Sequence, residues 1–223
     1  MSIKSGSHLQ NIDVFLANCC KRKYPAKSTI IYSGDQSDTL YYIISGSVAA
    51  VAEDNGGKEI TLAYLNSGEF FGEMGLFERK SRSACIRTKS ACELGEISYS
   101  RFLSLSSQYP DFLFALAKQV ASRLRETSRK VCNLAFLDVS GRVAHALLCL
   151  CQEPDAKHSP EGTQIRVTRQ EIARLVGCSR EMVGRVLKDL AESALISTSG
   201  KNIIVFNAAT EGLQPLPNSY FLD

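Results

Sequence analysis

Residues 168–190 have the sequence TRQEIARLVGCSREMVGRVLKDL, which predicts two helices joined by a sharp turn. Thr168 precedes the first helix and Glu171 follows three residues later, which is the spacing of a capping box. Gly177 suits the left-handed backbone that ends a helix, and Ser179 suits the position that caps the next one. Because only three residues separate the helices, we predict a helix-turn-helix.

The second predicted helix has two chemically distinct faces. Its apolar face carries Val183, Val186, Leu187 and Leu190, and its opposite face carries Arg180, Glu181, Gly184, Arg185 and Lys188. Arg180 and Arg185 can each present two donors to guanine O6 and N7, and Glu181 can accept from a cytosine amino group. Gly184 leaves room for a close approach to the groove. We therefore predict a DNA-reading helix, and expect four further DNA contacts at Arg169, Gln170, Ser179 and Lys201.

Charge supports this prediction locally. Residues 166–188 hold six basic and two acidic residues, whereas the whole chain has a net charge of only +3. A basic patch is what a phosphate-contacting surface requires. The alternative is a solvated helix face with Glu181 and Arg185 paired at i,i+4. The caps, the turn and the local charge together favour DNA. The turn at Gly200 and Lys201, between two short apolar runs, predicts a wing that touches phosphates.

Upstream, glycines divide the chain into short apolar runs. Eight of the fifteen glycines lie between Gly34 and Gly95. The runs 30–32, 40–44, 48–51 and 60–65 are rich in Ile, Val and Tyr, which is typical of strands. The sequence Asn55-Gly56-Gly57 predicts a hairpin turn. We predict a β-roll or barrel over roughly residues 18–98.

From Asp111 the apolar spacing changes to that of a helix. The stripe consists of Leu113, Leu116, Val120, Leu124, Thr127, Val131 and Leu134. These spacings of three and four residues resemble a coiled-coil seam on a helix of about 25 residues. A second copy of the same helix would bury the stripe, so we expect a homodimer. A shorter helix over roughly 140–152, a loop with Pro154 and Pro160, and the helix-turn-helix follow.

The predicted fold class is therefore α+β, with a jelly-roll-like β-roll, a long dimerisation helix and a winged helix-turn-helix. We expect domains at 1–110, 111–137 and 138–206, with a tail at 207–223 and a hinge at 137–140. Composition, with 44% hydrophobic and 22% charged residues, excludes wholesale disorder. The sequence has neither a long apolar run nor an apolar segment behind residues 1–7, so we expect a cytoplasmic protein.

The eight cysteines do not form a repeated CxxC pattern, and we expect buried thiols. Cys149 and Cys151 with His145 one turn earlier could bind a metal, but the same residues fit the packed face of an apolar helix. We expect no metal. The three histidines have no nucleophile or carboxylate partner in a recognisable arrangement, so we expect no enzyme activity and no catalytic residues.

An anion pocket is suggested by residues 71–77, with the sequence FGEMGLF. This segment follows a predicted strand and has the pattern of a short helical turn whose amides could face an anion. Arg82 and Ser83 lie just downstream, where a guanidinium can pair two-pronged with a phosphate and a hydroxyl can add a donor. The pattern is neither a P-loop nor a dinucleotide fingerprint.

Two segments of the chain resemble a known family. Residues 176–185, VGCSREMVGR, and residues 133–139, NLAFLDV, resemble the cyclic-AMP receptor protein family of bacterial transcription regulators. The resemblance extends from about Phe15 to Phe206. It implies a β-roll sensor, a dimerising helix and a winged DNA-binding domain, with cyclic AMP as the effector. It also implies a palindromic double-stranded operator.

The resemblance further implies roles for individual residues. Gly72 and Glu73 would meet the ribose, and Arg82 and Ser83 would hold the cyclic phosphate. Thr127 would bind the adenine amino group from its own subunit, with Ser128 reaching across from the partner. The cassette would include Met74 and Gly75, and the other side of the pocket would be lined by Gly56, Gly57, Lys58, Glu59, Ile60, Thr61 and Leu62.

The leading expectation is a cyclic-AMP-responsive, sequence-specific regulator in which the ligand repositions the DNA-binding domains. The nearest alternative keeps the DNA domain and changes the signal, to cyclic di-GMP or to no ligand. A thiol-based redox regulator is a further alternative. The resemblance also implies RNA polymerase as a partner, at surfaces expected around Lys21-Arg22 and Lys157-His158-Ser159.

Overall fold

The computed structural model describes residues 11–78 and 80–207. These residues divide into two compact units, the first ending at Ser128 and the second beginning at Arg129. The predicted α+β class with an N-terminal β-roll, a long helix and a helix-turn-helix is confirmed. The finer domain boundaries stay predictions. Residues 1–10, Arg79 and residues 208–223 of the predicted tail lie outside the described residues.

The first unit contains two helix-flanked sheets and most of the long helix. Its elements are α1 (Ile12–Ala17), β1 (Cys20–Tyr24), β2 (Thr29–Ile31), β3 (Thr39–Ser45), β4 (Ser47–Glu53), β5 (Glu59–Asn66), β6 (Phe70–Phe71), α2 (Met74–Glu78), β7 (Cys85–Thr88), β8 (Cys92–Ser98), α3 (Tyr99–Gln108) and α4 (Asp111–Phe136). The strands form two antiparallel sheets with orders β1-β8-β3-β6 and β2-β7-β4-β5.

Strand alternation divides the apolar residues of this unit between two cores. Successive side chains of a strand point to opposite faces. Leu40 and Tyr42 of β3 therefore pack with Phe15 and Phe112 of the helices. Ile43 instead joins the apolar cluster to which both sheets contribute. The β-roll is thus buried on both faces of its first sheet, which positions β6 between the strands and α4.

The predicted hairpin at residues 55–57 is confirmed. Glu53 of β4 pairs with Glu59 of β5 across a connection of residues 54–58. The Asp54 carboxylate accepts hydrogen bonds from the amides of Gly56 and Lys58, each at 2.9 Å. Gly57 has a φ of 77°, which its missing side chain allows.

The long helix α4 confirms the predicted helix from Asp111. Some of its apolar residues are buried, and others are exposed. Leu116, expected on the dimer stripe, is instead fully buried in the core of the first unit. The stripe residues Leu113, Leu124, Val131 and Leu134 are 39%, 67%, 59% and 54% exposed. The N-terminal turns of α4 therefore complete the β-roll, while the later turns present apolar side chains at the surface.

The second unit is a small domain of helices on a third sheet. Its elements are α5 (Val139–Leu150), β9 (Lys157–Ser159), β10 (Gly162–Arg166), α6 (Arg169–Val176), α7 (Arg180–Glu192), β11 (Ile196–Ser199) and β12 (Asn202–Phe206). The sheet order is β11-β12-β10-β9. The expectation of a loop with Pro154 and Pro160 was wrong in part, because residues 157–166 form a hairpin. Pro160 lies in its turn, where it disrupts no strand pairing. No helix in the described ranges is both long and apolar enough to span a membrane.

Candidate nucleotide pocket and nucleic-acid interface

The predicted anion pocket begins where β6 ends. Gly72 follows β6 with a φ of 78°, and α2 begins two residues later at Met74. A Cβ added at Gly72 would lie 2.7 Å from Nη1 of Arg82 and 3.2 Å from the Thr39 carbonyl oxygen. Glycine is therefore required both by the backbone conformation and by the close approach of Arg82. The predicted short helical turn after a strand is confirmed.

Arg82 is held tightly beside this turn. Its side chain is buried, with the residue 8% exposed. Nη1 donates to the Gly72 carbonyl at 2.8 Å, and Nη2 donates to the Thr39 carbonyl at 2.8 Å. The guanidinium carbon lies 5.7 Å and 5.9 Å from the ring centroids of Tyr41 and Tyr99. The structure thus brings Gly72 and Arg82 together, as the sequence predicted for a shared site.

Glu73 connects the pocket to α4 through a residue that sequence analysis missed. Glu73 is 8% exposed, and its Oε1 lies 3.3 Å from Nη1 of Arg123. Arg123 also donates to the Phe70 carbonyl and lies 3.7 Å from the Glu69 carboxylate. The half-buried Arg123 guanidinium fixes the Glu73 carboxylate and anchors it to the long helix.

Gln119, also missed, holds the same strand one helical turn earlier. Its Oε1 accepts from the Phe70 amide at 2.8 Å, and its Nε2 donates to the Gly68 carbonyl at 3.0 Å. The side-chain amide of Gln119 therefore makes the kind of hydrogen bonds to the backbone that a neighbouring strand would make. The available signal was the polar series Gln119, Arg123 and Thr127, whose spacing of four places all three on one helix face.

Thr127 and Ser128 lie one turn beyond Arg123 on α4. Thr127 is exposed, and Ser128 is half-buried with its hydroxyl donating to the Leu124 carbonyl at 3.0 Å. Because Thr127 follows Arg123 at i+4, the two side chains share a face of the helix. This arrangement places Thr127 on the side of α4 that carries the Glu73 contact.

The remaining predicted pocket residues have varied surroundings. Met74 is exposed, whereas Gly75 is buried where any Cβ would clash with Ser37. Ser83 is exposed and, within the described part of the chain, makes no hydrogen bond. Residues on the β4–β5 hairpin are exposed at Gly56, Gly57, Lys58 and Ile60, half-buried at Glu59, buried at Thr61, and exposed at Leu62. Leu62 is the extra residue of a bulge opposite Ala50 and Val51.

The predicted helix-turn-helix is confirmed in detail. The Thr168 hydroxyl accepts from the Glu171 amide at 3.2 Å, and the Glu171 carboxylate accepts from the Thr168 amide at 2.7 Å. Gly177 has a φ of 75°, and the Ser179 hydroxyl accepts from the Met182 amide at 3.2 Å. Val183, Val186 and Leu187 are buried as predicted, and Leu190 is half-buried.

The opposite face of α7 is available to a partner. Arg180, Glu181, Arg185 and Lys188 are exposed, as are Arg169 and Gln170 at the start of α6. Lys188 forms an exposed ion pair with Glu192 at 3.6 Å. A Cβ added at Gly184 would meet Nη1 of Arg169 at 3.5 Å. Arg169 therefore lies against α7 beside Gly184, at a distance that would give an added Cβ an ordinary van der Waals contact, and spacing alone did not reveal this proximity.

Glu181 is kept ionised at the start of α7. Hydrogen bonding from its own backbone amide lowers the pKa of Glu181, and the Ser179 hydroxyl and the neighbouring Arg180 and Arg185 act in the same direction. An ionised carboxylate only accepts hydrogen bonds. Glu181 is thus suited to a donor such as a cytosine amino group.

The predicted wing presents Lys201 beside other basic groups of the third sheet. β11 and β12 pair around Gly200, whose φ is 63°, and Lys201 is exposed in the turn. Lys201 lines a cavity of about 450 Å³ together with Asp155, Lys157, Gln164, Ile165, Arg166 and Asn202. With three cations and one acid, this cavity favours an anionic partner.

The expectation of buried thiols was only partly right. Cys92 and Cys151 are buried, but Cys20 and Cys149 are exposed. Burial raises the pKa of Cys19 to about 12 and that of Cys151 to about 11, so both thiols are protonated and weakly nucleophilic at neutral pH. Across residues 11–78 and 80–207, no three His, Cys, Asp or Glu side chains are grouped to hold a metal ion.

Comparison with known proteins agrees with both halves of this description. Residues 21–109 match the cyclic nucleotide-binding domain family, and residues 165–196 match the crp family of bacterial regulatory proteins. The chain is 56% identical over 202 residues to the cAMP-activated global transcriptional regulator Vfr of Pseudomonas aeruginosa, covering 89% of this chain and 94% of Vfr. It is 54% identical over 196 residues to the cAMP-activated global transcriptional regulator CRP of Salmonella typhimurium, covering 87% of this chain and 93% of that protein.

A solved structure of the c-di-GMP responsive global regulator CLP of Xanthomonas campestris has the same fold. It superposes with a TM-score of 0.82 and 48% identity, covering 88% of this chain and 98% of CLP. All three relatives are regulators, which confirms the expectation of a regulator rather than an enzyme. The chain belongs to the crp family of bacterial regulatory proteins and carries its cyclic nucleotide-binding domain.

Proposed function

We propose that this chain is a cyclic-AMP-activated, sequence-specific DNA-binding transcription regulator that acts as a homodimer. The observation that carries the proposal is the Arg82 guanidinium, fixed beside Gly72 in a segment whose Glu73 is tied to α4. Two relatives above 50% identity are cAMP-activated regulators. An immobilised guanidinium next to a glycine turn suits a cyclic phosphate.

The pocket residues fit a cyclic nucleotide chemically. Arg82 and Ser83 would hold the phosphate, and Glu73 would accept from the ribose 2′-hydroxyl next to Gly72, Met74 and Gly75. Residues 56–62 would line the other side. Thr127 would meet the adenine amino group, with Ser128 reaching across from the partner subunit. The contact between Glu73 and Arg123 supports this assignment, because it holds the Glu73 carboxylate against the helix that carries Thr127.

This arrangement provides a path from ligand to DNA. A ligand held by the β-roll and by α4 would favour one packing of the helix pair, and the hinge at residues 137–140 would pass the change to the helix-turn-helix. Moving the equilibrium from 1:99 to 99:1 requires about 10⁴-fold preference for one state. For the β-roll, the long helix and the DNA-binding domain, we propose the boundaries that were predicted from the sequence.

DNA recognition would use the exposed face of α7. Arg180, Glu181 and Arg185 would contact base edges, with Gly184 at the closest approach. Phosphate contacts would come from Arg169, Gln170, Ser179, Lys188 and Lys201. The exposure of these side chains and the basic cavity beside the wing support this role. In a homodimer the two half-sites would be centred about 34 Å apart.

RNA polymerase is the proposed protein partner, and the cytoplasm is the proposed location, because operator and polymerase meet there. Lys21 and Arg22 are exposed on β1, an edge strand, and Lys157, His158 and Ser159 are exposed on β9. Exposed basic edges suit docking to an acidic surface.

Calorimetry and gel shifts test the proposal together. The purified protein should bind cyclic AMP, and a palindromic duplex with TGTGA-like half-sites should shift only when cyclic AMP is present. Arg82→Leu should lose ligand binding and ligand-dependent shifting, while its circular dichroism spectrum remains that of the wild type. Cyclic-AMP affinity equal to wild type in Arg82→Leu would refute the pocket assignment.

One rival signal has an observation in its favour. The structure with 48% identity belongs to a regulator described as c-di-GMP responsive. The same calorimetry with cyclic di-GMP in place of cyclic AMP separates the two. Binding of cyclic di-GMP alone, with the DNA shift dependent on it, would transfer the proposed function to that ligand.

A further inference from the structure

We infer that Tyr99 is the positioning residue that orients Arg82 toward an anionic ligand in the nucleotide pocket, an inference that rests on the proposed function. Tyr99 is the first residue of α3 and is distant in sequence from every segment of the predicted pocket. Its hydroxyl nevertheless reaches the centre of the site. It donates to the Gly72 carbonyl and accepts from Nη1 of Arg82 at 3.1 Å.

The hydroxyl of Tyr99 uses its full hydrogen-bonding capacity. A phenol has one donor and two acceptor positions. Because its hydrogen is directed to Gly72, the Ser37 hydroxyl at 2.5 Å must donate to it. Tyr99 thereby joins three segments: the turn at Gly72, the loop that carries Ser37, and Arg82.

The hydrogen bonds at Tyr99 and Gly72 determine which N–H donors of Arg82 remain available to a ligand. A guanidinium has five N–H donors. Hydrogen bonds among the described residues use three of them, two on Nη1 and one on Nη2. The donors left over are Nε–H and the second Nη2–H, which lie on the same edge of the guanidinium plane. That edge is the two-pronged fork that a phosphate accepts from.

Tyr99 therefore determines which edge of Arg82 faces the ligand. Tyr99 and Gly72 together accept both N–H donors of Nη1, so these donors bind the protein and are not available to a ligand. The ring of Tyr99, 5.9 Å from the guanidinium carbon, and the ring of Tyr41 restrict rotation of the group. Without the Tyr99 hydroxyl, Arg82 would retain its charge but lose a contact that sets its orientation.

Tyr99→Phe tests this directly, because it removes the hydroxyl and keeps the ring. We expect cyclic-AMP affinity to fall about 5- to 20-fold by calorimetry, in line with losing hydrogen bonds to a charged group. Tyr109→Phe is the matched control. Tyr109 lies at the other end of α3 and packs against Phe112, and its hydroxyl makes no hydrogen bond to the described residues. The cyclic-AMP affinity of Tyr109→Phe should stay within about twofold of that of the wild type.

A double-mutant cycle separates positioning from a general loss of structure. Lysine has no planar fork to orient, so Tyr99→Phe should change affinity less than about twofold in an Arg82→Lys background. Equal losses in both backgrounds, or wild-type affinity in Tyr99→Phe, would overturn the inference. Ser37→Ala should give a smaller loss in the same direction, and no loss there would also count against it. Absence of cyclic-AMP binding by the wild type would instead refute the proposed function and the inference with it.

Discussion

Arg82 and Arg180 carry the same guanidinium group in opposite surroundings. Arg82 is buried, and backbone carbonyls and Tyr99 bind part of its donor set. Arg180 is exposed at the first turn of α7. A pre-bound guanidinium suits one defined anion, whereas an exposed one can adapt to base edges. Burial, which is a property of the fold, thus distinguishes their proposed roles.

Arg180→Ala is expected to relax base preference without changing ligand affinity. Loss of a two-donor base contact should cost about 1–3 kcal/mol at one position of each half-site. Competition gel shifts against single-base operator variants measure this change.

Lys188→Ala is the matched control on the same face of α7. Its loss should weaken all operator variants uniformly and reduce the salt dependence of binding by about one unit of slope. Uniform weakening by Arg180→Ala as well would show that Arg180 contacts phosphate rather than a base.

The phenol of Tyr24 is expected to make the stability of the protein depend on pH in the alkaline range. Burial, followed by the hydrogen bond to Glu96 at 2.6 Å, raises the pKa of Tyr24 from 10.0 to about 12. The folded state therefore favours the neutral phenol. This contribution to stability is complete below pH 10 and is lost as the pH rises toward 12. Tyr24→Phe removes the titrating group.

Urea unfolding of the wild type and Tyr24→Phe at about pH 8 and about pH 11 measures the effect. The stability advantage of the wild type over Tyr24→Phe should shrink at the higher pH. An advantage that stays constant between the two pH values would be incompatible with a raised Tyr24 pKa.

At the scale of elements, the caps of the helix-turn-helix are set by local chemistry. The capping box at Thr168 and the left-handed Gly177 involve residues no more than four apart from the groups that they satisfy. Such contacts depend on the local sequence and not on distant packing. The motif was for this reason predictable residue by residue.

Thr168→Ala should lower the free energy of unfolding by about 1 kcal/mol, because the cap to the Glu171 amide is lost. Denaturant unfolding followed by circular dichroism measures the change. Ser197→Ala, on the exposed strand β11, serves as the control and should be nearly neutral. Equal stability of Thr168→Ala and Ser197→Ala would mean that the capping box contributes nothing.

Other elements were not predictable because their residues follow no local pattern. β1 has the sequence CKRKY, which is mostly polar and exposed, and it becomes a strand by pairing with β8. β6 has only two residues, held by β3 on one side and by Gln119 on the other. Both strands owe their existence to partners that lie far away in the chain, at least 28 residues for the pairing of Tyr42 with Phe70.

At the scale of the whole molecule, α4 carries the proposed dimer contact. Its exposed stripe includes Leu124, Val131 and Leu134. Removing such apolar area from water contributes about 25 cal/mol per Å². A charge at the centre of the stripe would be buried unpaired in a dimer, at a cost that favours dissociation.

Leu124→Glu is therefore expected to shift the protein from dimer to monomer in sedimentation velocity and to abolish operator binding. Ser122→Glu adds the same charge on an exposed position away from the stripe and should leave the dimer intact. A dimeric Leu124→Glu variant would place the subunit contact elsewhere.

The sequence by itself determined the helix-turn-helix, its caps, the β4–β5 hairpin, the long helix and the turn at Gly72, because each depends on side-chain periodicity or on a backbone conformation that one residue type allows. It also predicted Arg82 and, through the family resemblance, Glu73 as pocket residues, which stays a prediction. Only the tertiary structure decided that Arg123 pairs with Glu73, that Tyr99 orients Arg82 and that Leu116 belongs to the core. These contacts join residues from different elements, and no local pattern specifies which side chains long-range packing brings within hydrogen-bond distance.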